Sequence, residues 1–146
     1  MRKILLLHKQ ILFLLVIDLF IVSCNNKHEV ITDSFENGKP KVVNEYSLNG
    51  LDSNLIGKTL YYENGKIKMI SRYSNAKIKN GKWKYYYPNG NLWSECEYKN
   101  DLKQGLSSVF YENNQLHYKG LYKNDIQIGK WQFFDDKGKL LKEENY

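Results

Sequence analysis

The chain has 146 residues, 42% hydrophobic and 26% charged, which is one small folded unit rather than several domains or a disordered tail. Aromatics make up 14%, with twelve Tyr and only two Pro, a composition that favours sheet. The formal charge is +6, but no block of basic residues marks a nucleic-acid arm, so no nucleic-acid partner is expected.

In chain order, the first element is a leader. Arg2 and Lys3, followed by His8 and Lys9, precede an apolar stretch from Ile11 to Val22 that only Asp18 interrupts. The stretch is too short to cross a bilayer as a helix and has the length of a signal-peptide core, although a charge such as Asp18 weakens insertion. It closes on Ile21-Val22-Ser23-Cys24, which resembles the lipobox of bacterial lipoproteins: an aliphatic residue, a tolerant position, a small residue, then the Cys that becomes lipid-modified. The resemblance implies that 1–23 is a lipoprotein signal peptide and that Cys24 carries several acyl chains, enough for stable anchoring. The expected location is the bacterial cell envelope, outside the cytoplasm, with the membrane as one partner. An ordinary signal peptide, or an uncleaved anchor with an incidental Cys, is the alternative.

With Cys24 taken by lipid, Cys96 has no intramolecular partner and no disulfide framework exists. Cys96 falls in the strand-like run Leu92 to Tyr98 and reads as a small buried hydrophobe. Residues 24–34 read as a tether, 35–56 as a degenerate first repeat with an inserted loop between Tyr46 and Gly57, and 57–146 as four full repeats.

The repeat is carried by Gly57, Gly81, Gly105 and Gly129, which are 24 residues apart. Strand-like runs follow them: Thr59 to Tyr62, Trp83 to Tyr86, Ser107 to Phe110 and Trp131 to Phe134. Each leads to a turn, at Asn64-Gly65, Asn89-Gly90, Asn113-Asn114 and Lys137-Gly138, and eight residues beyond each turn lies a tyrosine: Tyr73, Tyr98, Tyr122 and Tyr146. Gly38 and Tyr46 keep the same offset in the degenerate copy. Asn-Gly between alternating runs predicts type I′ hairpins, with positive φ at both central residues, and Asn114 can stand in for Gly there. The strand after each turn alternates, as in Ile67, Met69, Ser71 and Tyr73 on one face against Lys68 and Arg72 on the other, the pattern of a half-buried strand. Polar segments such as Lys99 to Gln104 and Lys123 to Ile128 read as connections between hairpins.

The segments Gly81-Lys82-Trp83-Lys84-Tyr85-Tyr86-Tyr87-Pro88-Asn89-Gly90-Asn91-Leu92 and Gly129-Lys130-Trp131-Gln132-Phe133-Phe134 through Gly138-Lys139-Leu140 are similar to the bacterial variant of the MORN (membrane occupation and recognition nexus) repeat, the kind found in YwqK-family antitoxin components. The resemblance covers 57–146 well and 29–46 loosely. It implies an all-β fold, with tandem hairpins forming an elongated, twisted, single-layer antiparallel meander sheet. A lone hairpin is marginal in water, so each copy must pack on its neighbours. Tyr62, Trp83, Tyr86, Tyr98, Phe110, Tyr122, Trp131 and Phe134 are the expected packing aromatics. Gly57, Gly65, Gly81, Gly90, Gly105, Gly129 and Gly138 are the expected structural glycines.

Catalytic chemistry is not indicated. His28 and His117 lie far from one another, so neither a metal site nor a histidine triad is expected. Asp135-Asp136 and Glu143-Glu144 are adjacent pairs whose side chains diverge in a strand or turn, whereas catalytic carboxylates converge from separate elements. No phosphate-binding loop or nucleophile elbow is present, and no cofactor is expected. The expectation is a non-catalytic, lipid-anchored protein-interaction or scaffold module whose partner is a protein or another envelope component, with the last strand, Leu140 to Tyr146, as an edge for strand addition. A cell-wall or glycan binder is one alternative, since Gly-Lys-Trp followed by tyrosines also resembles choline-binding wall modules. An antitoxin component is the other, although a lipoprotein outside the cytoplasm could not reach a cytosolic toxin.

Overall fold

The computed structural model describes residues 27–49, 52–74 and 77–146; the leader and Cys24 lie outside the described residues. Ten strands follow in chain order: β1 (Lys27–Ser34), β2 (Pro40–Asn49), β3 (Asp52–Tyr61), β4 (Ile67–Arg72), β5 (Gly81–Tyr86), β6 (Leu92–Lys99), β7 (Leu102–Phe110), β8 (Leu116–Lys123), β9 (Ile126–Phe134) and β10 (Leu140–Asn145). They form one open antiparallel sheet whose spatial order is the chain order, which is the expected meander of hairpins.

The first copy is more complete than its sequence suggests. Residues 27–34, expected as tether, form β1 and pair along β2 from Lys27 with Ser47 to Ser34 with Pro40. The expected loop between Tyr46 and Gly57 is mostly strand, because β2 and β3 stay in register out to Asn49 and Asp52. Regular main-chain pairing satisfies more backbone groups than an excursion would, and the side-chain pattern of a strand exposed on both faces is hard to tell from a loop.

The turns at the Asn-Gly sites differ from those expected. At the Asn-Gly sites the Tyr62 amide donates to Lys66 O (2.8 Å) and the Gly65 amide to Tyr62 O (2.9 Å), and the same pair of bonds recurs at Phe35, Tyr87, Tyr111 and Asp135. Positive φ falls on one residue of each turn: Gly38, Gly65, Gly90, Asn114 or Gly138. This is a type I turn closed by a left-handed residue that starts a one-residue bulge, not a type I′ turn. The preceding Asn remains right-handed because its side chain is engaged: Asn64, Asn89 and Asn113 Oδ1 each accept the amide two residues on, at 2.8 to 3.0 Å. The two-residue turns with positive φ at both positions are Asn100-Asp101 (51° and 69°) and Asn124-Asp125 (51° and 66°), inside the segments expected to connect one hairpin to the next.

The 24-residue glycines have a common cause in three copies of four. Pairing of β6 with β7 jumps from Cys96 and Ser107 to Glu97 and Gln104, so Gly105 and Leu106 bulge out. The same two-residue slip between β8 and β9 leaves out Gly129 and Lys130. Gly81, Gly105 and Gly129 carry φ of 92°, 75° and 64° at these bulges, a conformation that costs a residue with Cβ about 1 kcal/mol or more. Gly57 differs: its slip is a single residue, its φ is not positive, and a Cβ there would run into the Arg72 guanidinium and the Glu45 carboxylate, which pair with each other.

Candidate interaction face

Because opposite residues of an antiparallel pair share a face, one face can be read straight across the strands. Residues Lys58, Ser71, Trp83, Cys96, Ser107, Gly120, Trp131 and Glu144 form a row over β3 to β10. Two large rings therefore stand in a row of small residues. Trp131 is 1% exposed and Trp83 7%, while Ser71 beside Trp83 is fully buried. Gly120 is a matter of space: an added Cβ would overlap the Trp131 indole itself.

The tyrosines beyond the turns form the walls. Trp83 lies between Tyr73 (5.5 Å between ring centroids) and Tyr98 (5.4 Å). Trp131 lies between Tyr122 (5.1 Å) and Tyr146 (6.0 Å). The Trp83 indole N–H donates to Arg72 O at 3.0 Å, whereas the Trp131 N–H has no partner. Lys79 Nζ sits 4.8 Å from the Trp83 ring centroid, a cation over a ring face.

Between Tyr98 and Tyr122 the alternation of tyrosine and tryptophan breaks, because Ser107 stands where the neighbouring copies have an indole. The result is a slot of about 180 Å³ over Cys96 and Ser107, walled by Tyr98 and Tyr122 and running from Lys103 towards Tyr118. Lys103 Nζ lies 4.7 Å from the Tyr122 ring centroid. Burial holds the Cys96 thiol and the Tyr98 phenol above their ordinary ranges, so Cys96 is a free but poorly nucleophilic thiol.

Successive copies are also tied at their turns. Tyr62, Tyr87 and Tyr111 hydroxyls donate to Tyr86 O (2.7 Å), Phe110 O (2.9 Å) and Phe134 O (3.0 Å) of the following copy. Asn64, Asn89 and Asn113 Nδ2 donate to Pro88 O, Glu112 O and Asp136 O. In the other direction, Asp101 and Asp125 Oδ1 accept the amides of Lys79 (2.8 Å) and Lys103 (2.7 Å).

Of the expected packing aromatics, Trp83 and Trp131 are buried, Tyr98 and Tyr122 are walls, and Tyr62 is a tie. Tyr86, Phe110 and Phe134 are half-buried and also supply the carbonyls that the ties use. Sequence reasoning passed over Tyr87 and Tyr111, whose signal was their place three residues before Gly90 and Asn114.

The polar residues weighed for chemistry are dispersed. His28 stacks on Tyr46, and His117 packs against Tyr111 and Tyr118. Glu143 faces Gln132 and Lys130, which hold its carboxyl below the usual range; Glu144 lies on the opposite face with Lys142 and Tyr146. Among the described residues no three His, Cys, Asp or Glu gather as a metal site.

The profile described as MORN repeat variant matches residues 58–75, 79–100, 103–124 and 127–146, together more than half of the chain. The chain belongs to the MORN repeat variant family. Each match covers one hairpin, from β3–β4 to β9–β10, and the β1–β2 hairpin precedes them. MORN repeats are generally modules for protein or membrane interaction and are typically non-catalytic. No curated protein and no solved structure matches the chain.

Proposed function

We propose that this MORN repeat protein is a lipid-anchored, non-catalytic interaction module of the bacterial cell envelope, held through Cys24 and presenting its aromatic face to a protein partner. The observation that carries the partner reading is the break in the Tyr-Trp alternation between Tyr98 and Tyr122, which leaves an open, tyrosine-walled slot between the two filled indole sites. Burial of both Trp83 and Trp131 favours a protein over a choline- or glycan-type ligand, because the indoles that would cage such a ligand are already enclosed. The anchor rests on the Ile21-Val22-Ser23-Cys24 pattern after an apolar stretch. An export signal of that kind also speaks against neutralisation of a cytosolic toxin.

Metabolic labelling with a fatty-acid analogue, wild type beside Cys24→Ala, tests the anchor. The wild-type chain should take up label and sediment with membranes, and the variant should do neither. Equal labelling of both, or recovery of wild type in the cytosol, would overturn it.

A further inference from the structure

We propose that the slot over Cys96 and Ser107 receives a tryptophan side chain presented by the partner protein. The inference rests on the reading of this face as an interaction surface and adds the chemistry of what it recognises.

The argument is one of internal equivalence. In the preceding copy the walls are Tyr73 and Tyr98, the floor is Ser71, the lysine is Lys79, and Trp83 fills the space. One copy on, the matching residues are Tyr98, Tyr122, Cys96 and Lys103, and Ser107 in place of Trp83 leaves the space open. The copy after that closes again, with Trp131 over Gly120 between Tyr122 and Tyr146. The slot therefore has the tyrosine walls that the same chain twice closes around an indole, and it shares the lysine and the carbonyl with the Trp83 site.

Three features select an indole over other apolar groups. An enclosed apolar cavity of about 150 Å³ takes benzene, so an open slot of about 180 Å³ admits an aromatic side chain with part of its edge outside. Rings at both walls reward a planar group, as they do for Trp83, and Lys103 offers the ring face a cation. The carbonyl before the first wall tyrosine, Arg72 O for Trp83, is here Glu97 O. It faces the Cys96 thiol at 3.5 Å, a weak donor that an indole N–H would outcompete. An aliphatic side chain would leave both the carbonyl and the lysine unused.

The test uses the full chain and small probes. N-acetyltryptophanamide, N-acetylphenylalaninamide and N-acetylleucinamide are titrated into wild type and Ser107→Trp, with binding read by calorimetry and by chemical-shift changes at Tyr98 and Tyr122. The tryptophan probe should bind about tenfold or more tighter than the leucine probe. Ser107→Trp should lose that binding by a similar factor while melting no lower than wild type, since the new ring completes the row. Ser107→Leu, a smaller filling, serves if the tryptophan variant does not fold.

No saturable binding to folded wild type would overturn the proposal, as would undiminished binding to a folded, filled variant. Trp93, 46% exposed, could act from a second copy. Concentration-dependent association abolished by Trp93→Ala would assign the slot to self-assembly and overturn the partner version. The outcome is separable from the function proposed above: a filled variant that still captures the partner removes the slot and leaves the module.

Discussion

Replacing Gly120 with Ala puts one methyl group under the indole of Trp131 and measures how tightly the row is packed. The Gly120 backbone is one that any residue adopts, so the penalty is purely steric. The methyl would overlap Cγ, Cδ2 and Cε2, atoms near the base of a ring that is 1% exposed and flanked by Tyr122 and Tyr146. Such a ring cannot swing aside without losing its walls, and overpacking of this kind costs about 1–3 kcal/mol. Trp131→Ala alone should cost on the order of 3 kcal/mol. In that background Gly120→Ala meets no ring and should gain about 0.4–1 kcal/mol from the stiffer unfolded chain. The two substitutions should therefore be coupled by on the order of 2 kcal/mol. Urea unfolding of the four proteins by far-UV circular dichroism gives the cycle, and Trp131→Leu replaces the Ala background if that proves too unstable. Coupling below about 0.5 kcal/mol would refute the packing argument.

Loss of the phenolic ties in Tyr87→Phe and Tyr111→Phe should each lower stability by about 1 kcal/mol, seen as a lower urea midpoint; no change in the double variant would mean that water replaces the ties without cost. Removing a turn side chain in Asn113→Ala takes away both the bond within the turn and the bond to Asp136 O, and should cost about 1–2 kcal/mol, against less than half of that for Lys137→Ala, checked by thermal melts. Tyr85 and Tyr98 are held protonated by burial, so the folded state binds their protons more tightly than the unfolded state. Stability is then flat below the ordinary phenol range and falls as pH rises through it; urea midpoints across that range, flattened by Tyr98→Phe, check the sign. Cys96, raised by the same cause, should alkylate with iodoacetamide more slowly than free cysteine at pH 8, and equal rates would contradict its burial.

The glycine period, the strand order and the two buried indoles were legible because each leaves a local mark: a residue type that tolerates positive φ, an alternation, a large ring at a fixed offset. Turn type was not. Asn-Gly is compatible with both left-left and right-left turns, and the choice went with the bond from the Asn side chain to the amide two residues on, which the dipeptide does not announce. Asp101 and Asp125 went unmarked within segments read only as connections because their partners, Lys79 and Lys103, lie more than 20 positions earlier. The slot was half legible: the replacement of Trp by Ser107 stood in the sequence, but that Lys103, Tyr98 and Tyr122 border one space depends on the register after the Gly105 bulge. β1 was missed because a strand exposed along its whole length carries no burial pattern.

The phenolic ties give the array a direction of growth. Each runs from one copy to its successor, so a copy is received by the one before it, as a monomer is received at the growing end of a polymer. At the fourth full copy the position of Tyr62, Tyr87 and Tyr111 is taken by Asp135, whose Oδ1 turns back to accept the amides of Lys137 (3.0 Å) and Lys139 (2.8 Å). The turn that opens at Asp135 therefore has no hydroxyl to offer, as at Phe35 of the first copy, and a hairpin grafted after it would gain this tie only with Asp135→Tyr.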